Sequence, residues 1–173
     1  MRGLRGIIGG LSNWLAKLTN IGLGAIGTML IVVTGYAVVM RYVFQTPPTW
    51  SHEASVLCFV WISFLGSANA MKSKAHIIFN FFIDIFPGRS YNAMVLLADV
   101  LTILTLVVGF VLGVKVAGLM FPRFFQTIPV SLGVLYTALP LGFLFMTVHA
   151  LELFLEHWEI ALTNRGVIPK AVA

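Results

Sequence analysis

Long apolar runs, separated by short charged segments, dominate this sequence. Four of them cover about residues 21–40, 52–71, 91–119 and 128–151. Each is long enough to cross a hydrocarbon layer of about 30 Å at 1.5 Å per residue. The pattern predicts an all-α integral membrane protein with four transmembrane helices, arranged as a single membrane domain over residues 1–173.

Two shorter segments have the spacing of amphipathic helices. In residues 4–18 apolar side chains recur at steps of three and four, which predicts an N-terminal helix in the membrane interface. Residues 75–86 are too few to cross a bilayer. There His76, Asn80 and Asp84 recur every four residues and form a polar stripe. We therefore expect a horizontal helix between spans two and three.

The segments that flank the predicted spans on one side of the membrane contain more basic residues than those on the other side. Cytoplasmic segments carry an excess of lysine and arginine, so the distribution predicts that both termini are cytoplasmic. The larger group is Arg2, Arg5, Lys17, Lys72, Lys74, Arg89, Arg165 and Lys170. The smaller group, expected on the outer side, is Arg41, Lys115 and Arg123.

Composition narrows the possible functions. Hydrophobic residues make up 59% of the chain and charged residues 10%, as in integral membrane proteins. Cys58 is the single cysteine, which excludes an intramolecular disulfide, a CxxC redox pair and a cysteine-based zinc site. The net charge of +5 comes from cations at helix ends, which indicates orientation and contact with membrane lipids rather than nucleic-acid binding.

Asp99 is the one acid placed well inside a predicted span. A carboxylate there costs a few kcal/mol unless it finds a partner or water, so Asp99 is expected to face protein. Lys72 or Lys74 lies on the same predicted side and is long enough to reach towards it. A cation on a different subunit is the other candidate.

Small residues in two spans indicate faces where helices approach closely. Gly109, Gly113 and Ala117 repeat every four residues in the third span. In the first span Gly24, Gly27, Thr28 and Gly35 fall near one face. Pro140, in the middle of the fourth span, predicts a kink compensated by a neighbouring helix or by Thr137.

Histidine and glutamate side chains beyond Pro140 resemble a set of metal ligands. Glu152, Glu156 and Glu159 share one helical face, with His149 and His157 nearby. A solvated amphipathic helix end explains the same pattern, and we favour it over a metal site. No cofactor is expected on this chain.

The stretch from Arg41 to His76 is similar to the DctQ-like small membrane subunit of tripartite ATP-independent periplasmic (TRAP) transporters. The resemblance consists of an arginine ending the first span, a tryptophan shortly before an acid, FVWxxFLGxxxAM and a basic turn closing in His-Ile. The matching residues are Arg41, Trp50, Glu53, Trp61, Gly66, His76 and Ile77. Two positions depart from the family pattern: His52 stands where a second acid is usual, and Asn80 where an aspartate is usual.

The resemblance implies an accessory, non-enzymatic subunit in a bacterial inner membrane. Its partners would be a large multi-span subunit, which holds the sodium and substrate sites, and a periplasmic substrate-binding protein that docks transiently. Solutes of the family are organic acids such as dicarboxylates, keto acids and sialic acids. Arg41, Trp50 and Glu53 would order the outer ends of the first two spans. His76, Asn80 and Asp84 would orient the flat helix, and Asp99 would meet a polar group in the bundle or on the large subunit.

The sequence leaves two other functions open. A small four-helix transporter working by itself would use Asp99 as its membrane carboxylate, but no internal repeat or pair of broken helices marks a central site. A four-span membrane enzyme would need several polar residues at membrane depth, and no catalytic motif or set of such residues is present.

Overall fold

The computed structural model describes residues 2–72 and 89–162. In these ranges the helices are α1 (Arg2–Tyr42), α2 (Trp50–Lys72), α3 (Arg89–Met120), α4 (Leu132–Tyr136) and α5 (Ala138–Leu162). The segments long and apolar enough to cross a membrane are Gly9–Tyr42, Trp50–Lys72, Tyr91–Met120 and Leu132–Ala161. The prediction of an all-helical protein with four membrane-spanning helices is confirmed.

The N-terminal segment differs from the prediction of a separate interfacial helix. α1 is a single helix of 41 residues with no break between residues 4–18 and 21–40, and at 1.5 Å per residue it is about 60 Å long. Ser12, expected on a solvated polar face, is 0% exposed and packs towards the bundle, whereas Trp14 is 62% exposed. The cause is that Ser12 finds polar partners on α5, so this part of α1 lies against the other helices.

The predicted horizontal helix at residues 75–86 lies outside the described residues. The same holds for three candidate residues that it carries, His76, Asn80 and Asp84.

The fourth span contains a break, but Pro140 does not kink the middle of a helix as predicted. The short helix α4 ends at Thr137, whose backbone N–H donates to Gly133 O, and α5 begins at the next residue. Pro140 is therefore in the first turn of α5, where a missing N–H leaves no helical bond unmade. The Thr137 hydroxyl donates to Val134 O at 2.8 Å, which helps to satisfy the carbonyls at the break.

α5 is the central helix of the bundle. It packs against α3, α2 and α1, and α1 also packs along α2. The buried side chains that join α2, α3 and α5 are Ala68, Met71, Leu106, Met146 and Ala150. Because α1 and α3 turn most of their apolar side chains outwards, these two helices offer the larger surfaces to lipid or to another protein.

The predicted glycine strip of α3 lies where α3 and α5 approach most closely. A Cβ atom at Gly109 would lie 2.9 Å from the Phe143 ring, and one at Gly113 would lie 3.1 Å from Pro140 N. The glycines of α1 behave differently, since a Cβ at Gly24, Gly27 or Gly35 would meet nothing within 4 Å. The expected packing face of α1 is therefore open within this chain.

Replacing Gly113 with leucine is expected to destabilise the bundle, because the new side chain would clash with backbone and ring atoms of Pro140. Overpacking of this kind costs roughly 1–3 kcal/mol. Thermal unfolding of the purified protein in mild detergent should show a lower midpoint for Gly113→Leu. The matched control is Gly118→Leu on the same helix, where a Cβ meets nothing within 4 Å. Equal midpoints for both variants would contradict the close approach of α3 and α5.

Candidate functional site

The carboxylate of Glu53 organises one end of the bundle. Glu53 is in the first turn of α2, and its oxygens accept hydrogen bonds from three successive backbone N–H groups, those of Gln126 (3.0 Å), Thr127 (3.0 Å) and Ile128 (3.1 Å). The Thr127 hydroxyl also donates to it. Hydrogen bonds to an ionised acceptor are the stronger kind, so this one side chain fixes the segment between α3 and α4 against α2.

A second set of bonds closes the same segment from the other side. Phe124 and Ser131 form an isolated antiparallel bridge, and Leu132 N donates to Arg123 O at 2.8 Å. The Ser131 hydroxyl donates to Phe121 O at 2.6 Å and accepts from Gly133 N, which caps α4. We call this end, formed by residues 43–49 and 121–131, the loop end. Its longer segment is held at both termini and in the middle.

Arg41 and Trp50 also lie at the loop end, where, among the described residues, Arg41 forms no ion pair with Glu53. Arg41 is exposed in the last turn of α1, where a cation interacts favourably with the helix dipole. Within the described residues, Glu53 is bonded to the 126–128 backbone and not to Arg41. The Trp50 ring stacks on Tyr36, with centroids 6.0 Å apart and planes at 24°, and so connects α1 to α2.

Trp61 and Gly66 contact neighbouring helices further along α2. The indole N–H of Trp61 donates to Val134 O at 3.2 Å, next to the break between α4 and α5. A Cβ at Gly66 would lie 3.9 Å from Leu23 Cδ2, an ordinary contact with α1. Both residues therefore lie at helix contacts inside this chain.

The loop end is positively charged. Exposed basic side chains lie within it and on the adjoining parts of α1, α2 and α3, while the acid at this end, Glu53, is already bonded to backbone N–H groups. The exposed basic residues are Arg41, His52, Lys115 and Arg123. Exposed aromatic residues lie among them, namely Tyr42, Phe44, Phe121 and Phe124. Arginine and aromatic side chains are the types that contribute most to protein interfaces.

The opposite end of the bundle holds a group of four polar side chains, which we call the polar cluster: Ser12, Lys72, His149 and Glu152. The Lys72 ammonium contacts Glu152 Oε2 at 2.6 Å. The Ser12 hydroxyl donates to the same oxygen and lies 2.7 Å from His149 Nδ1. The polar cluster thereby ties α1, α2 and α5 together.

The polar cluster corrects the interpretation of this helix end as solvated. His149 is 3% exposed and His157 is 1% exposed, because α1 and α3 cover the face of α5 that carries them. Sequence reasoning noted the spacing of these residues but could not assign partners to them. The usable signal was an equal depth for Lys72 and Glu152, which directly follow the apolar runs 52–71 and 128–151; nothing in the sequence placed Ser12 at that depth.

Asp99 faces protein, as expected, although its partner is neither Lys72 nor Lys74. His157 Nδ1 donates to Asp99 Oδ2 at 2.7 Å, and the side chains are 2% and 14% exposed. Lys72 is engaged by Glu152 instead, and Lys74 lies outside the described residues. The pair joins α3 to α5 and gives Asp99 a partner within its own chain.

These arrangements hold helices and a loop in place. In the part of the chain that the structure describes, no group of three or more histidine, cysteine, aspartate or glutamate side chains has the arrangement of a metal site. Glu53, Lys72, Asp99 and Glu152 are instead bonded to other side chains or to backbone.

Glu53→Ala is expected to loosen the loop end, since three backbone N–H groups would lose their acceptor. Hydrogen bonds to a charged acceptor are stronger than those between neutral groups, so the backbone amides of residues 124–131 should exchange with deuterium measurably faster than in the unmodified chain. Glu53→Gln keeps one acceptor oxygen, so its exchange rates should lie between those of the unmodified chain and those of Glu53→Ala. The neighbouring exposed residue supplies the control, His52→Ala. Unchanged exchange in Glu53→Ala would show that the loop is held without Glu53.

Comparison with known proteins shows which family this chain matches. The family model described as tripartite ATP-independent periplasmic transporters, DctQ component, matches residues 30–160. The sialic acid TRAP transporter small permease protein SiaQ of Vibrio cholerae is 28% identical over 125 residues, 71% of each chain. The sialic acid TRAP transporter permease protein SiaT of Haemophilus influenzae is 30% identical over 66 residues, which are 36% of this chain and 11% of SiaT.

Both relatives are transporter permeases and neither is an enzyme. Four helices able to span the bilayer and a family match over most of the chain agree on a multi-pass protein of the inner membrane. The chain belongs to the DctQ family and is a small permease subunit of a TRAP transporter.

Proposed function

We propose that this chain is the accessory and scaffold subunit of a sodium-coupled TRAP transporter for organic acids. In this proposal it supports a large transport subunit and contributes to the docking of a periplasmic substrate-binding protein. The observation that carries the proposal is the position of its polar groups. The carboxylates of Glu53, Asp99 and Glu152 lie towards the two ends of the bundle and are already bonded within the chain.

The middle of the bundle offers little to a charged solute. Residues 54–71 of α2, 100–114 of α3 and 138–148 of α5 contain no Asp, Glu, Lys or Arg. A carboxylated solute that crosses the bilayer needs compensating polar or charged groups at depth. The solute and sodium sites are therefore assigned to a large partner, and no cofactor is assigned to this chain.

The similarity to SiaT supports a partnership of this kind. SiaT is much longer than this chain, because the 66 matching residues make up only 11% of it. A segment like this one is thus part of a larger permease polypeptide, and the same arrangement is proposed here between separate chains. Both relatives carry sialic acid in their names, so sialic acids are the first solutes to test, followed by dicarboxylates and keto acids.

The orientation follows from charge. The excess of lysine and arginine on the side of Lys17 and Lys72 favours a cytoplasmic position for both termini. The loop end would then face the periplasm, where its exposed arginines and aromatic rings are available to a binding protein. Lipid would cover the apolar faces that the large subunit leaves free, and nucleic acid has no part in the proposal.

Asp99 has a structural role in this proposal. A transporter of four helices would need its membrane carboxylate free to bind and release a cation or solute. Asp99 is instead paired with the almost fully buried His157. The self-sufficient transporter is therefore not supported as a second candidate.

The proposal predicts that Glu53→Ala lowers solute uptake more than it lowers association with the large subunit. The loop that would meet the binding protein is loosened, while the outward faces of α1 and α3 remain intact. Uptake of labelled sialic acid into vesicles, with binding protein added, should fall several-fold. Co-purification of the large subunit should stay near that of the unmodified chain and of the control His52→Ala. Equal losses of uptake and association would show that Glu53→Ala only misfolds the chain. Unchanged uptake would show that the loop end does not take part in docking.

A further inference from the structure

The hydrogen bonds of the polar cluster determine which nitrogen of His149 carries a proton. Glu152, paired with the Lys72 ammonium, is a carboxylate and can only accept. The single hydroxyl proton of Ser12 is therefore donated to Glu152 Oε2. The 2.7 Å contact between Ser12 Oγ and His149 Nδ1 must then be donated by Nδ1–H. The chain of donors runs from His149 through Ser12 to Glu152.

This order leaves His149 Nε2 as an unprotonated acceptor. A neutral imidazole has one N–H, and Nδ1 carries it. Nε2 is buried and has no hydrogen-bond partner, although the great majority of buried polar side-chain atoms have one. A small cavity of about 50 Å³, enough for a water molecule, is lined by His149 together with Lys72, Glu152 and Glu156.

We propose that His149 is a proton-binding site that controls the attachment of the N-terminal part of α1 to the bundle. With Nε2 unprotonated, Ser12 is held and α1 packs on α5. A proton added at Nε2 makes a second buried cation beside Lys72, so the packed arrangement is destabilised. Release of α1 exposes the imidazolium to water.

The charged groups around His149 determine the direction of the effect. Lys72 at the end of α2 opposes the added proton. Glu152 on α5 favours it, but this carboxylate already compensates Lys72. Glu156 lines the cavity and has its own interaction; α1 contributes Ser12, which does not titrate. Because the released state binds a proton that the packed state excludes, acid favours release.

The test measures the distance between α1 and α3 by spin labels on the full chain. The labels replace Gly10 and Leu97, both exposed, in a Cys58→Ala background, and the chain is held in nanodiscs of phosphatidylethanolamine and phosphatidylglycerol. At about pH 8 one short distance is expected. Below about pH 6.5, the ordinary range of imidazole, a longer distance should appear, and its ratio to the short one should rise by up to about tenfold per pH unit.

Two variants identify the group responsible. His149→Asn keeps an N–H for Ser12 but does not titrate, so its short distance should persist at about pH 5.5. His157→Asn, at the other buried histidine, should keep the acid response. Persistence of the acid response in His149→Asn, or its absence from the unmodified chain, would overturn the proposal.

A third variant keeps the test decisive if His149→Asn does not fold. Lys72→Gln removes the opposing cation, so the packed state accepts the added proton more readily and the midpoint of release should move to lower pH. A structural role for His149 would leave that midpoint unmoved, and this result would also overturn the proposal. The measurement needs neither the large subunit nor a solute, so its outcome is independent of the function proposed above.

Discussion

Polar groups within the hydrocarbon layer find no water, and each must be bonded inside the protein. The hydroxyl groups of the spans satisfy this constraint locally: those of Thr28, Ser63 and Thr147 donate to the carbonyl four residues earlier. The charged groups cannot do so, and they gather at the ends of the spans. Glu53 is found at one end, and Lys72 with Glu152 at the other.

Because of this division, the middle and the ends of the bundle are held together by different interactions. Between its ends the helices are held by apolar packing and by the close approach of Gly113 to Pro140. At its ends they are held by hydrogen bonds and ion pairs between elements far apart in the sequence. In the described part of the chain the middle of the bundle is apolar and the charged groups lie towards its ends, which fits the proposed role of a scaffold beside a larger transport subunit.

The sequence was sufficient for those features that depend on local patterns. Apolar runs located the four spans, and the spacing of Gly109 and Gly113 located a helix contact. The partner of Glu53 is more than seventy residues away in the chain, and no local pattern points to residues 126–128.

Two further features could not be predicted from local patterns: the partner of Asp99, which depends on how two helices are rotated, and the unbroken course of α1. Asp99 was recognised as needing a partner, but selecting His157 requires the relative rotation of two helices. The predicted boundary near residue 20 failed for another reason. No proline or adjacent pair of glycines interrupts that part of the chain, so the helix continues through it.

The chain is a small permease subunit, and we propose that it works beside a large one. The most direct measurement is a mild-detergent purification of the tagged chain from its native membrane, followed by mass spectrometry of the proteins that accompany it. The account predicts one large polytopic membrane protein in an amount close to that of this chain. Recovery of the chain alone, as a monomer or as an oligomer of itself, would contradict it.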